Sequence, residues 1–215
     1  MKGYQSRRRF RLSSLFSGSW TVYILVLLVF SGGVLAGSFS SAGMDSKKAG
    51  ELSEYVGNFV ENVEAVNFES SKMASVAVKN NIIIVISIYA LGLTMIGVPF
   101  IMAILFARGY VIGFAVSFLT RDMSLQGLLL TIASVLPHNL LYIPAVYMAA
   151  VSAVMFAVAL WKRNFNSGVA ILPRLISYTG LMLVVTTVAV AAGLVEGYVT
   201  PYFTKVASVF FSSHI

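Results

Sequence analysis

The run "IIIVISIYALGLTMIGVPFIMAILFARG", Ile82 to Gly109, decides how often this chain reverses direction. It reads in two ways. As one span, Ile82 to Phe106 crosses a bilayer with some tilt, kinked near Pro99 with Gly92 and Gly97 close by. Arg108 then emerges at the cytoplasmic face. Alternatively, residues 82–120 divide at Gly97, and Arg108 is buried. A lone buried arginine is costly, so the single span is expected.

Outward from this run the composition supports lipid on either reading. The chain has 215 residues, 58% hydrophobic and 11% charged. Soluble domains average about 45–50% apolar and about 25% charged. The expected fold class is all-α: a polytopic helical membrane protein of about five transmembrane helices plus short re-entrant or interfacial helices.

Upstream lies the one polar segment, residues 38–79, which holds six of the eight acids: Asp45, Glu51, Glu54, Glu61, Glu64 and Glu69. Leu52, Val56, Phe59, Val63 and Val66 recur at spacings of four and three, a helical apolar stripe. An amphipathic helix outside the membrane is expected, with Asp45 or Ser46 as its cap. Helices that rest on a bilayer favour Lys and Arg on the polar face. This one carries Glu, which points to a protein partner docked on the stripe.

Before it, Trp20 to Gly37 is the first apolar run, just long enough at ~1.5 Å per residue to cross a core of ~30 Å. Lys2, Arg7, Arg8, Arg9 and Arg11 precede it, so residues 1–19 form a basic cytoplasmic N-terminus. The net charge of +7 therefore reads as a membrane-topology signal, not as a nucleic-acid surface. A signal peptide is the rival reading, with "SSA" ending at Ala42 as a cleavage site. The run is long for that, and no strict A-x-A follows, so a retained helix is expected.

Downstream, Gly109 to Leu119 and Leu125 to Leu136 are apolar but short, interrupted by Arg121-Asp122. One is expected to be a thin, protein-buried span and the other re-entrant or interfacial. Pro137-His138-Asn139 breaks the chain. Leu140 to Leu160 is a full span stopped by Trp161-Lys162-Arg163, and Leu175 to Val195 is the last. Residues 80–200 thus form the helical membrane domain and 201–215 an external tail. The count places the N-terminus inside, the C-terminus outside and every strongly basic segment inside.

Chemistry is sparse. Cysteine is absent, and two histidines, His138 and His214, are too few and too far apart for a zinc site. No GxxxxGK[ST], HExxH, GxSxG or paired-carboxylate pattern occurs. No enzyme activity, metal or cofactor is expected. Gly109 and Gly113, with Ser117, form a small-residue ladder for close helix packing, within the bundle or between subunits of a homo-oligomer. Gly193 and Gly197 suggest a second close approach. Asn81, His138 and Glu196 all fall towards the outer side, and unpaired ionisable groups at such depth are expensive. The expectation is that Glu196 accepts hydrogen bonds from Asn81 and His138, and that Thr200-Pro201 stops its helix. The plainer reading has Glu196 reaching the headgroups and His138-Asn139 capping a helix.

Several stretches resemble the stage II sporulation protein M family: "KNNIIIVISIYALG", "GVPFIMAILFARGYVIG", "VLPHNLLYIPA" and "GLVEGYVTP". The resemblance covers nearly the whole chain, and the last two stretches are the most specific. Where the wider family carries Pro-His-Gly with a nearby acid, Asn139 and Tyr142 stand here, as suits the sporulation branch. The resemblance implies a non-enzymatic membrane component of an engulfment complex in the mother-cell membrane. Its implied partners are the peptidoglycan-cutting stage II sporulation proteins D and P. A small transporter or channel is the rival class, because such proteins use broken helices and intramembrane ionisable groups. Against it stand the lack of internal repeats and the few polar residues in the spans.

Overall fold

The computed structural model describes residues 20–62, 70–122, 135–165 and 171–203, and within them the architecture is all helical. The elements are α1 (Trp20–Ala42), α2 (Ser46–Asn62), α3 (Ser70–Gly92), α4 (Gly97–Asp122), α5 (Leu136–Phe165) and α6 (Ile171–Leu194). A π-helical turn, Val195–Val199, carries α6 onward to Phe203. All but α2 are long and apolar enough to cross a membrane.

The opening run is two helices, not one kinked span. α3 ends at Gly92, and Leu93 to Ile96 form a tight turn. Thr94 fastens it: its Oγ1 donates to the Leu91 carbonyl at 2.8 Å. A side chain on Gly97 would strike that same carbonyl. Pro99 then lies in the first turn of α4, where a missing N–H costs nothing. The proline that looked like a kink is a helix start. Arg108 is consequently the twelfth of the 26 residues of α4, inside a membrane helix and not beyond its end.

Other boundaries shift with it. The short run 109–119 is the second half of α4, so it is neither thin nor re-entrant. Residues 123–134, with most of the run 125–136, lie outside the description. The polar segment 38–79 divides: its start belongs to α1 and its end to α3, which begins at Ser70. Thr200-Pro201 does not stop the last helix. The Thr200 N–H bonds to the Val195 carbonyl five residues back, a widened turn directly ahead of Pro201. A proline inside a helix removes one backbone bond and crowds the carbonyl four residues before it. The wide turn falls where that crowding must be relieved. Residues 204–215, most of the expected tail, lie outside the description.

α5 is the central helix. Ala145, Ala149, Ala150, Val151, Ala153 and Ala157 are buried, and α5 packs against α1, α3, α4 and α6. A helix that is apolar all round belongs at the centre. Two glycine seams close the bundle around it. In the first, α1 and α4 run side by side in the same direction. A Cβ on Gly33 would collide with the Phe106 backbone and one on Gly37 with Tyr110; Gly109 and Gly113 meet Phe30 and Val34 in return. Without a hydrophobic drive inside lipid, such seams hold by close van der Waals packing and interhelical hydrogen bonds. Here Ser38 Oγ donates to the Gly113 carbonyl and Ser117 Oγ to the Ser38 carbonyl, both at 3.2 Å. In the second seam, Gly193 and Gly197 lie against Val78 and Ala74 of α3.

Candidate functional site

Three elements bring polar groups to one place. The first turn of α5 carries Pro137, tolerated there for the same reason as Pro99, then His138 and Asn139. Asn139 Nδ2 donates to the Val135 carbonyl at 2.8 Å, which fixes the helix start. One turn further, Tyr142 is 4% exposed. From α4, the Arg108 guanidinium lies over the Tyr142 ring, 5.2 Å from its centre. From the π turn, Glu196 reaches His138: Nε2 to Oε2 is 4.0 Å, an ion-pair separation too long for a hydrogen bond.

These groups line one cavity of about 260 Å³. Arg108, His138, Asn139, Tyr142 and Glu196 supply its polar wall; Phe30, Leu105, Val111, Ile112 and Ile143 are among its apolar lining. Two buried polar atoms in this wall, His138 Nδ1 and the Tyr142 hydroxyl, have no hydrogen-bond partner. Buried polar groups are ordinarily satisfied, so each exception calls for an explanation. The Arg108 cost that weighed against dividing the chain at Gly97 is offset in part by this setting. A cation over an aromatic face gains about 0.5–2 kcal/mol. The arginine is not alone.

The predicted cluster is only partly assembled. His138 and Glu196 come together, but at 4.0 Å, without the hydrogen bond that was expected. Asn81 does not join them: it is 3% exposed and its Nδ2 donates to the Ala189 carbonyl at 3.2 Å. It still ties α3 to α6, but through a backbone acceptor about two turns from Glu196. Gly109, Gly113, Gly193 and Gly197 all sit in the two helix seams. Leu52 and Val56 are half-buried on α2, Phe59 lies in the same helix, and Val63 and Val66 fall outside the described residues. Arg108 and Tyr142 were not among the predicted site residues. A basic residue flanked on both sides by apolar runs, 82–106 and 109–119, was the signal for the first. The α1 glycines of the same seam, Gly33 and Gly37, were legible as a G-xxx-G spacing.

The family model for stage II sporulation protein M matches residues 26–201, from the first turns of α1 to Pro201. The chain belongs to the stage II sporulation protein M family. No curated protein and no solved structure matches it. The matched interval holds three of the membrane-length helices whole, most of the first and last, and every residue of the cavity wall. As a stage II sporulation protein M family member it is a sporulation-related, multi-pass membrane protein.

Proposed function

We propose that the protein is a non-enzymatic membrane scaffold of an engulfment complex, which recruits and positions peptidoglycan-degrading partners at the septal membrane of the mother cell. The partners resemble stage II sporulation proteins D and P. The observation that carries this reading is α2. It makes no substantial contact with the other described helices, yet it presents Leu52 and Val56 beside the acidic Glu51 and Glu54. Tyr55 on the same helix is 72% exposed. A membrane protein in which such a helix packs so little against the other described helices has a surface for another protein to cover. Family membership supports a role in sporulation, and α2 supports the recruiting part of the reading.

The orientation that serves this role has the N-terminus cytoplasmic and the C-terminus external, with α2 on the same side as the C-terminus. Reporter fusions test it: those after Ser46 and at the C-terminus read external, and one after Asn166 reads cytoplasmic. An external Asn166 reverses the assignment. Recruitment is tested by Val56→Asp combined with Phe59→Asp. The double variant inserts normally but loses co-purification with the hydrolase partners by at least about tenfold, since two charges on the stripe abolish the apolar burial that drives docking. Undiminished co-purification removes α2 from the role.

The cavity favours a second reading, a small-solute transporter, because ionisable groups inside a membrane bundle commonly mark a substrate path. Flux into liposomes that contain the purified protein decides it.

A further inference from the structure

The unpartnered atoms of the cavity share a pattern. We infer that the cavity binds the headgroup of a phospholipid: a phosphate diester that also carries a hydrogen-bond donor, such as an ammonium or a hydroxyl. This assignment does not rest on the scaffold reading.

The donors come first. Arg108 has no carboxylate within ion-pair distance among the described residues; its contact is the face of Tyr142. A guanidinium presents five N–H groups in a planar fork suited to phosphate oxygens. The Tyr142 hydroxyl is buried, unpartnered and in the same wall. It supplies a further O–H. The start of α5, at Val135, His138 and Asn139, forms the adjoining wall, and a helix N-terminus favours an anion.

The acceptors come second. A neutral His138 that carries its proton on Nε2, the nitrogen 4.0 Å from Glu196, leaves Nδ1 as an acceptor. An ionised Glu196 is an acceptor only, and the residue is half-buried. A bare phosphate satisfies Arg108 and Tyr142 but leaves Nδ1 and the carboxylate facing another anion. A phosphate linked to an ammonium or hydroxyl satisfies both sets at once. The arrangement therefore selects for a headgroup with a donor beyond its phosphate.

Size and surroundings indicate a lipid source. A cavity of about 260 Å³ has room for several waters, hence for a headgroup rather than a single small ion. Val111, part of the lining, is 61% exposed, and Leu140 beside the α5 start is 69% exposed. Both lie on membrane-length helices, so acyl chains have apolar surface to follow on leaving the cavity.

The test uses the full chain, purified and delipidated in maltoside detergent. Binding of dihexanoyl phosphatidylethanolamine, phosphatidylglycerol and phosphatidylcholine is titrated by native mass spectrometry, with sodium phosphate as competitor. Saturable binding of the first two is expected. The choline lipid, whose quaternary ammonium has no N–H, binds about three- to tenfold more weakly, the range of one or so hydrogen bonds. Arg108→Ala weakens binding by at least about tenfold, as loss of charge-assisted bonds does. Tyr142→Phe is the decisive variant, because its hydroxyl has no partner in the protein and its loss should leave folding intact. It weakens phosphatidylethanolamine about two- to tenfold. Tyr89→Phe, which loses a hydroxyl bond to Thr179 outside the cavity, leaves binding unchanged. Equal affinity of Tyr142→Phe and the parent, or equal affinity for all three lipids, overturns the assignment. Displacement by sodium phosphate as strong as by lipid overturns the lipid source.

Discussion

Tyr178 and Tyr142 mark two ends of the same bundle, and they solve the problem of a buried hydroxyl in opposite ways. Tyr178 stacks between Tyr89 and Phe156, with ring centres at 5.2 and 4.9 Å. Its hydroxyl donates to the Tyr89 carbonyl at 3.1 Å and lies 3.4 Å from that of Ile88. Gly92 makes the room, since a Cβ there would strike that hydroxyl and Ala153. Tyr142 also has an aromatic-face contact, with Arg108, but its hydroxyl meets nothing. One end is complete within the protein. The other carries donors and acceptors that the protein itself does not use. Equal burial therefore does not mean equal role: satisfaction of the polar atoms separates packing from a site.

The largest test of this contrast concerns the frame that holds both ends. Gly37→Leu drives a side chain into the Tyr110 backbone, where nothing can move aside. Loss of the monodisperse, folded peak in detergent size-exclusion chromatography is expected. Normal yield and profile would show that the α1–α4 seam is looser than the geometry states. Next comes Tyr178→Phe, which discards a hydroxyl bond already made inside the bundle. A loss of about 0.5–1.5 kcal/mol is expected, read as a lower unfolding midpoint in detergent. The same change at Tyr142 sharpens the comparison: Tyr142→Phe shifts the midpoint of the delipidated protein by less than about 0.5 kcal/mol, or raises it, because no protein bond is lost. Matching losses at both tyrosines would erase the distinction. Glu196→Gln is expected to have the smallest effect on stability, within about 0.5 kcal/mol, since 4.0 Å from His138 is no hydrogen bond. A large destabilisation would make Glu196 a structural tie, and the cavity a packing defect rather than a site.

Much of this was legible beforehand because it depends on local pattern alone. A long apolar run must be a membrane helix, since its backbone groups have to bond internally. Glycines four apart on such a helix must let another backbone approach, and Gly109, Gly113, Gly193 and Gly197 do so. The amphipathic spacing around Leu52 and Val56 places a helix, and Ser46–Asn62 is one. Misjudgements arose where a local cost was charged without its distant partner. Arg108 looked too expensive to sit inside a span, so the turn after Gly92 was passed over. Pro201 looked like a stop, because a widened turn ahead of it cannot be read from spacing.

By itself, the sequence determined an all-α membrane protein, with five membrane-length helices among the described residues, the glycines of its seams and an acidic amphipathic helix. It did so because hydropathy, helical period and the absence of Cβ atoms act within a few residues. Only the tertiary structure decided that Ile82 to Gly109 is a hairpin, that Asn81 answers to Ala189, and that Arg108, Tyr142, His138 and Glu196 share a cavity. The cost of a buried charge or an unbonded hydroxyl is set by what the rest of the chain brings to it, and here those partners come from helices far apart in sequence.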